Sequence, residues 1–313
     1  MPSALTASQE KTAKAIVNIF ETGEVLGNYG SVTLIPGDTG RLTFGRSQTT
    51  LDSGNLFILL KTYCENEGAR FGARLSEWLP SIDAKDDGVD TDKKLHNVLR
   101  ASADDPIMRD TQDQFFDKAY WQPAARNAAN NGVSTALGMA VIYDSVIHGS
   151  WVAIRKRVLD QIGPVESAGE RVWISTYVQT RKNWLATSSR SDLRRTVYRM
   201  ETFEALISHD NWGLNLPLAV RGREISLESL SATPPGCYSG PQPGTRILAL
   251  TSPLLRGLDV RLVQLGLSDS GVGVTADGIY GQATVQCVRD YQKSQGLPVT
   301  GVVDIDLIGR LVD

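Results

Sequence analysis

The sequence predicts a mostly α-helical body (α+β by class) with one small β-hairpin near its start, followed by a small three-helix C-terminal domain. Three observations carry this. An apolar stripe at helical spacing occupies the first twenty residues. A Gly-rich turn lies between two alternating segments directly after it. A Pro-rich stretch near 227–246 then separates a long helical region from a tail that repeats itself.

The elements follow in order. Thr6 with Gln9 three residues later makes a capping box, and Ala13, Ile16, Val17 and Phe20 recur at i, i+3, i+4 and i+7, so a first helix buries one face. Gly23 and Gly27 stop it. Val32, Leu34, Leu42 and Phe44 alternate with small or polar residues around Pro36-Gly37-Asp38-Thr39-Gly40, the pattern of a hairpin with a Gly-rich turn. Helical patterning then covers 53–66, 68–79, 91–103, 106–119, 121–148, 150–163, 168–187 and 190–208. Pro234, Pro235, Pro241 and Pro243, with Gly, Ser and Thr between them, read as a semi-rigid linker. The expected domains are therefore 1–226, a linker at 227–245, and 246–313. Within the tail, helices around 260–267, 284–291 and 307–312 are joined by Gly turns, a tiny core built from a repeated unit.

Composition narrows the function classes. Of 313 residues, 41% are hydrophobic and 21% charged, with 32 Lys and Arg against 35 Asp and Glu, so there is no basic surplus to attract nucleic acid. No apolar run approaches the roughly 18 residues of a membrane span. The start, MPSALTASQEKTAKAIVNIF, reads as a helix and not as a secretory signal, which predicts cytoplasmic synthesis. Cys64, Cys237 and Cys287 are odd in number and far apart, and His96, His148 and His209 show no ligand spacing, so no disulfide framework, metal site or cofactor is expected.

The tail resembles the three-helix type of peptidoglycan-binding domain. The residues that carry this are the Leu262–Leu267 stretch, Asp277-Gly278-Ile279-Tyr280-Gly281 with Thr284, Arg289-Asp290-Tyr291-Gln292, Gly296-Leu297 and Gly301-Val302-Val303-Asp304. The resemblance implies a non-catalytic module that holds glycan or stem peptide, with Asp277, Tyr280 and Tyr291 as wall-binding candidates. Read as residues alone, the tyrosines are core packing and Asp277 a turn former.

The body resembles the family 46 chitosanases and their lysozyme-like relatives, which implies a two-lobed fold. Four stretches carry the likeness: Phe20-Glu21-Thr22-Gly23; Gly37-Asp38-Thr39-Gly40-Arg41-Leu42-Thr43; Ile142-Tyr143-Asp144 through His148-Gly149; and Asn211-Trp212 through Leu218. It implies Glu21 as general acid and Asp38 as general base of an inverting hydrolysis, with Thr43 placing the water. It also implies a supporting charged network of Asp144, Arg181 and Arg195, with Arg194 or Arg199 as alternatives to Arg195, and Arg41 beside the base. The chemistry asks for such a carboxyl pair, spaced by roughly 6.5–9.5 Å where a water must fit. Glu21 ends a helix beside Phe20 and Ile19, a setting that favours the protonated form, whereas Asp38 sits among glycines that keep it ionised.

One departure from the family shapes the substrate expectation. Where the chitosanases place an acidic residue for a free sugar amine, the ungapped count gives Asn55, with Asp52 close by. An amide suits an N-acetyl group better than an ammonium. Together with the tail, Asn55 leads to the expectation of a muramidase (a lysozyme) cleaving β-1,4 bonds of peptidoglycan. Two readings stand beside it: a chitosanase cleaving β-1,4-glucosamine polymer, and a non-catalytic wall-binding protein. The expected partner is the cell-wall polymer or a related amino-sugar chain, met by a monomer; neither nucleic acid nor membrane is expected. Phage lysis, as for an endolysin, a contact-dependent secretion machine with its immunity protein, as for an antibacterial effector, and a removed signal are the open export routes.

Overall fold

The structure, a computed structural model, describes residues 5–35, 39–46 and 48–312. In chain order the first elements are α1 (Ala7–Thr22), β1 (Val32–Thr33), β2 (Thr43–Phe44), β3 (Thr49–Thr50), α2 (Asn55–Cys64), α3 (Gly72–Ser76), α4 (Leu79–Asp83), α5 (Lys93–Ser102) and α6 (Pro106–Phe116). Then come α7 (Gln122–Asn130), α8 (Ala136–Ile147), α9 (Trp151–Ile162), α10 (Val165–Ala168), α11 (Glu170–Ala186), α12 (Ser191–Arg194) and α13 (Tyr198–Ser208). The last are β4 (Leu218–Val220), β5 (Arg223–Ile225), α14 (Leu227–Ser231), α15 (Leu258–Asp269), α16 (Gln282–Ser294) and α17 (Ile305–Val312). The chain is thus mostly helical, with a small antiparallel sheet in the order β1-β2-β3. It divides into two compact units, one of residues 1–27 with 116–232, the other of 28–115 with 233–313.

The first unit is built on α8. Every residue from Ala136 to Ser145 is buried, the charged Asp144 included, so this helix is enclosed on every side and forms the middle of a helical core. The buried stripe of α1, including Ala13, Ile16, Val17 and Phe20, belongs to the same core. Thr6 and Gln9 exchange the two capping-box bonds, and Gly23 ends α1 in the left-handed conformation (φ 78°) that a side chain disfavours. The helix expected over 121–148 is interrupted, because Asn131-Gly132 turns the chain and Thr135 caps α8 through Gly138 N. The stretch 190–208 likewise divides into α12 and α13. The β4–β5 hairpin was not anticipated; its Arg223 Nε donates to Gly23 O at 2.9 Å, closing the end of α1.

The second unit begins with the expected hairpin, Val32 facing Phe44 and Thr33 facing Thr43, to which β3 adds a third strand. Leu42 and Phe44 are fully buried, while Leu34 is exposed. Residues 233–313 share this unit. Leu265 and Ala276 lie in one apolar cluster with Leu95, Val98 and Leu99 of α5. The buried Asn97 side chain donates to Ser268 Oγ and Val274 O and accepts from Ala276 N. Arg261 donates to the carbonyls of Arg100, Gly236 and Asp277 and pairs with Asp104. Helices α15 and α17 pack so closely that a Cβ on Gly266 would stand 1.9 Å from Leu311 O, so only glycine fits there.

Candidate active site

The first unit gathers a charged chain at the end of α1. Glu21 is the penultimate residue of that helix, its side chain 43% exposed. Arg199, in the first turn of α13, donates from Nη2 to Glu21 Oε1 at 2.8 Å and from Nη1 to Asp144 Oδ1 at 2.7 Å. Arg181 of α11, fully buried, donates from Nη1 to Asp144 Oδ2 at 2.5 Å. The sequence Arg181, Asp144, Arg199, Glu21 therefore alternates in sign from the core to the surface.

Burying Asp144 is expensive unless its charge is met, and both of its oxygens are used. Burial alone would raise its carboxyl, but the Arg181 and Arg199 guanidiniums outweigh burial and hold it below the ordinary value. Burial opposes the charge on Arg199 too, yet Asp144 and Glu21 hold that guanidinium above its ordinary value. The fork of Arg199 thus ties a surface carboxyl to an anion that has no access to water. With Glu21 Oε1 occupied as an acceptor, Oε2 makes no hydrogen bond among the described residues. His148, at the end of α8, faces the same chain. Burial, then Arg181 and Arg199, push its ring below the ordinary value.

The other expected residues fall as follows. Arg195 caps α12 as an exposed residue and does not join Asp144; Arg199 takes that place, because the turn between α12 and α13 puts 195 outside and 199 on the buried face. Arg194 is spent on the carbonyls of Ser188 and Ser189. Thr43 lies on β2, half-buried, its Oγ1 donating to Arg41 O at 3.1 Å. Arg41 is a clamp within the second unit: Nε donates to Asp90 at 2.8 Å and Nη1 and Nη2 to the carbonyls of Lys85 and Asp86. Asn55 is the exposed first residue of α2. Asp38 lies outside the described residues.

In the tail, Tyr280 is fully buried with its hydroxyl on Gly301 O, so it is core and not a wall contact. Tyr291 packs half-buried against the same core. Asp277 closes its own turn, accepting from Ile279 N and Gln264 Nε2. Among the described residues, no group of three or more His, Cys, Asp or Glu could hold a metal ion, and no helix is long and apolar enough to cross a membrane.

Sequence reasoning left Arg199 as one of three choices and missed Tyr198 and Arg223 altogether. Phe203 and Leu206, at +4 and +7 from residue 199, put that arginine on the buried side of its helix, a signal the sequence does hold.

Comparison with known proteins places the body and the tail in two families. Residues 15–218 match Glycosyl hydrolase family 46, and residues 256–311 match a putative peptidoglycan binding domain. The chain is 30% identical over 240 residues to a chitosanase of Bacillus subtilis (strain 168), an alignment covering 71% of this chain and 85% of the relative. A mutant chitosanase of Bacillus subtilis MY002, solved in complex with 6 GlcN, is 26% identical with a TM-score of 0.51, over 70% of this chain and 96% of that one. A Gynuella sunshinyii chitosanase bound to chitotetraose shares the fold, with a TM-score of 0.52 at 24% identity over 72% and 99%. These matches overturn the muramidase expectation. That expectation rested on one exposed amide, Asn55, placed by an ungapped count, and on the tail. By its match over most of the length, this chain belongs to glycosyl hydrolase family 46.

Proposed function

We propose that this glycoside hydrolase is a chitosanase, cleaving β-1,4 bonds of glucosamine polymer, with a C-terminal module that holds peptidoglycan. The observation that carries the chemistry is the hold of Arg199 on Glu21. It leaves a half-exposed carboxyl with one fixed oxygen and one free to present a proton to the leaving glycosidic oxygen. Glu21 acts as the general acid. Asp38 acts as the base that activates a water on the opposite face of the sugar, and the product anomer is inverted. Thr43 assists in placing that water.

Chitosan is a polycation, so its binding surface needs carboxylates. Asn55 does not supply one. Asp52, exposed three residues before it, does: its side chain makes no hydrogen bond among the described residues, and its charge acts on Arg41. Asp52 is therefore the carboxylate assigned here to a sugar ammonium, a charge-assisted pairing.

The test compares products from chitosan and from purified peptidoglycan by mass spectrometry at one pH and ionic strength. Glucosamine oligomers from chitosan support the reading. Release of disaccharide from peptidoglycan, with chitosan untouched, would overturn it.

A further inference from the structure

The end of α1 is held twice, by two consecutive residues of one partner helix. A helix C-terminus leaves its last carbonyls without intrahelical donors. Here Gly23 N serves Ile19 O at 3.0 Å, and Arg223 Nε serves Gly23 O. The Phe20 carbonyl, one residue before Glu21, is served by a side chain: Tyr198 Oη donates to it at 2.9 Å. Tyr198 directly precedes Arg199, which holds the Glu21 carboxylate. The pair Tyr198-Arg199 therefore grips the pair Phe20-Glu21, one residue by the main chain and the next by the side chain.

The rings make the grip stiff. Phe20 meets Tyr198 edge-on with centroids 5.8 Å apart, and the Arg199 guanidinium lies 5.4 Å from the Phe20 ring. Tyr198 also carries the Arg221 guanidinium, 3.9 Å from its centroid. Arg221 sits between β4 and β5 at φ 52°, a left-handed backbone that a non-glycine residue keeps only where its surroundings enforce it. So the unpredicted hairpin supplies two arginines to the end of α1: Arg223 to its last carbonyl and Arg221 to the ring that holds Phe20.

We propose that Tyr198 is a positioning residue for Glu21, acting through the Phe20 carbonyl, with Arg221 stacked on its ring to fix it. The proposal rests on Glu21 being the general acid. Without the Tyr198 hydroxyl the Phe20 carbonyl loses its side-chain donor, and a carboxyl hung from a less closely held backbone reaches the glycosidic oxygen less often. Misplacement by an ångström costs up to about 100-fold in rate. The hydroxyl of Tyr198 touches only main chain, so its loss leaves the charges of the site unchanged.

Tyr198→Phe removes that hydroxyl and keeps the ring. On chitosan, kcat should fall about tenfold while KM stays within about twofold, because substrate contacts are untouched. Glu21→Asp sets the carboxyl back by one methylene and already spoils its position. In that background, Tyr198→Phe should cost less than about twofold more, the non-additivity of two changes acting on one position. The same fold loss in both backgrounds would mark a merely structural role and overturn the proposal. So would wild-type kcat for Tyr198→Phe while Glu21→Gln is inactive. Activity retained by Glu21→Gln would overturn the reading of Glu21 as acid and this proposal with it.

Discussion

Asp144 has no path to water, and two buried guanidiniums depend on it. Asp144→Asn keeps the shape and removes the charge, leaving Arg181 buried without its counter-charge and Arg199 with Glu21 alone. Breaking a buried pair in this way costs about 3–5 kcal/mol, so thermal unfolding should move down by many degrees and activity should drop with it. An unchanged melting temperature would show that the arginines find other partners. Arg199 and Arg195 separate as cleanly. Lysine keeps the charge of Arg199 but has no fork, so it cannot hold Glu21 and Asp144 together. Arg199→Lys should lower kcat at least about tenfold, whereas Arg195→Ala, at an exposed cap, should leave kcat near wild type. The reverse pattern would restore Arg195 to the site. On the substrate side, Asp52→Asn should raise KM for chitosan about three- to tenfold through loss of one charge-assisted contact; an unchanged KM would exclude Asp52 as a binding carboxylate.

At the scale of elements, the joint between α5 and the tail has its own titration. Asp104 is buried and pairs with Arg261 and the backbone N–H of Tyr238. Burial pushes its carboxyl up to about 6, with Arg261 and the Tyr238 N–H pulling the other way. Its folded value is thus above its unfolded one, so between about 4 and 6 the folded state binds more protons, and stability falls as pH rises through that window. His148 is shifted below its ordinary value, so its contribution runs the opposite way, with stability lost as pH falls. The comparison of wild type with Asp104→Asn removes the shared histidine effect. Relative to that variant, wild type should lose stability between pH 4 and 6, and a constant difference in melting temperature would contradict the shift.

What was legible in the sequence follows the same division. The first helix could be read from its cap, stripe and glycine, because all three are local. The helices of the tail could be read from repetition. The break at Asn131-Gly132 was missed because apolar residues on both sides continue one periodic pattern and α8, buried on every side, has no polar face to mark its start. The β4–β5 hairpin was missed because three-residue strands carry too little alternation to see. The Arg199 assignment needed α13's phase, which a turn at 195–197 resets. The packing of Asn97 and Arg261 against segments some 160 to 180 residues away is a matter of tertiary structure and has no local signal.

For the whole molecule, residues 233–313 are part of the second unit's core. Deleting residues 246–313 would strip α5 of Leu265 and Ala276, take from Asn97 its partners Ser268, Val274 and Ala276, and remove Arg261 from Asp104. Each large apolar side chain re-exposed costs about 1.5–3 kcal/mol. Calorimetry of the truncated chain should therefore show a lowered transition, and an unchanged one would mean that the tail adds nothing to that core. The segment that matches a peptidoglycan binding domain and the β1-β2-β3 sheet are, on this view, parts of one folded unit.

Cleavage of glucosamine polymer by this family 46 hydrolase depends, as proposed, on Glu21 as its acid. The most direct measurement is the turnover of chitosan by wild type and by Glu21→Gln, followed by reducing ends, with melting temperatures recorded alongside. Gln is nearly isosteric with Glu but has no proton to give. Loss of general acid help is worth about 10²–10⁴-fold, so the variant should fall by at least that lower figure at an unchanged melting temperature. Turnover by Glu21→Gln within tenfold of wild type, or a wild type that leaves chitosan intact, would contradict it.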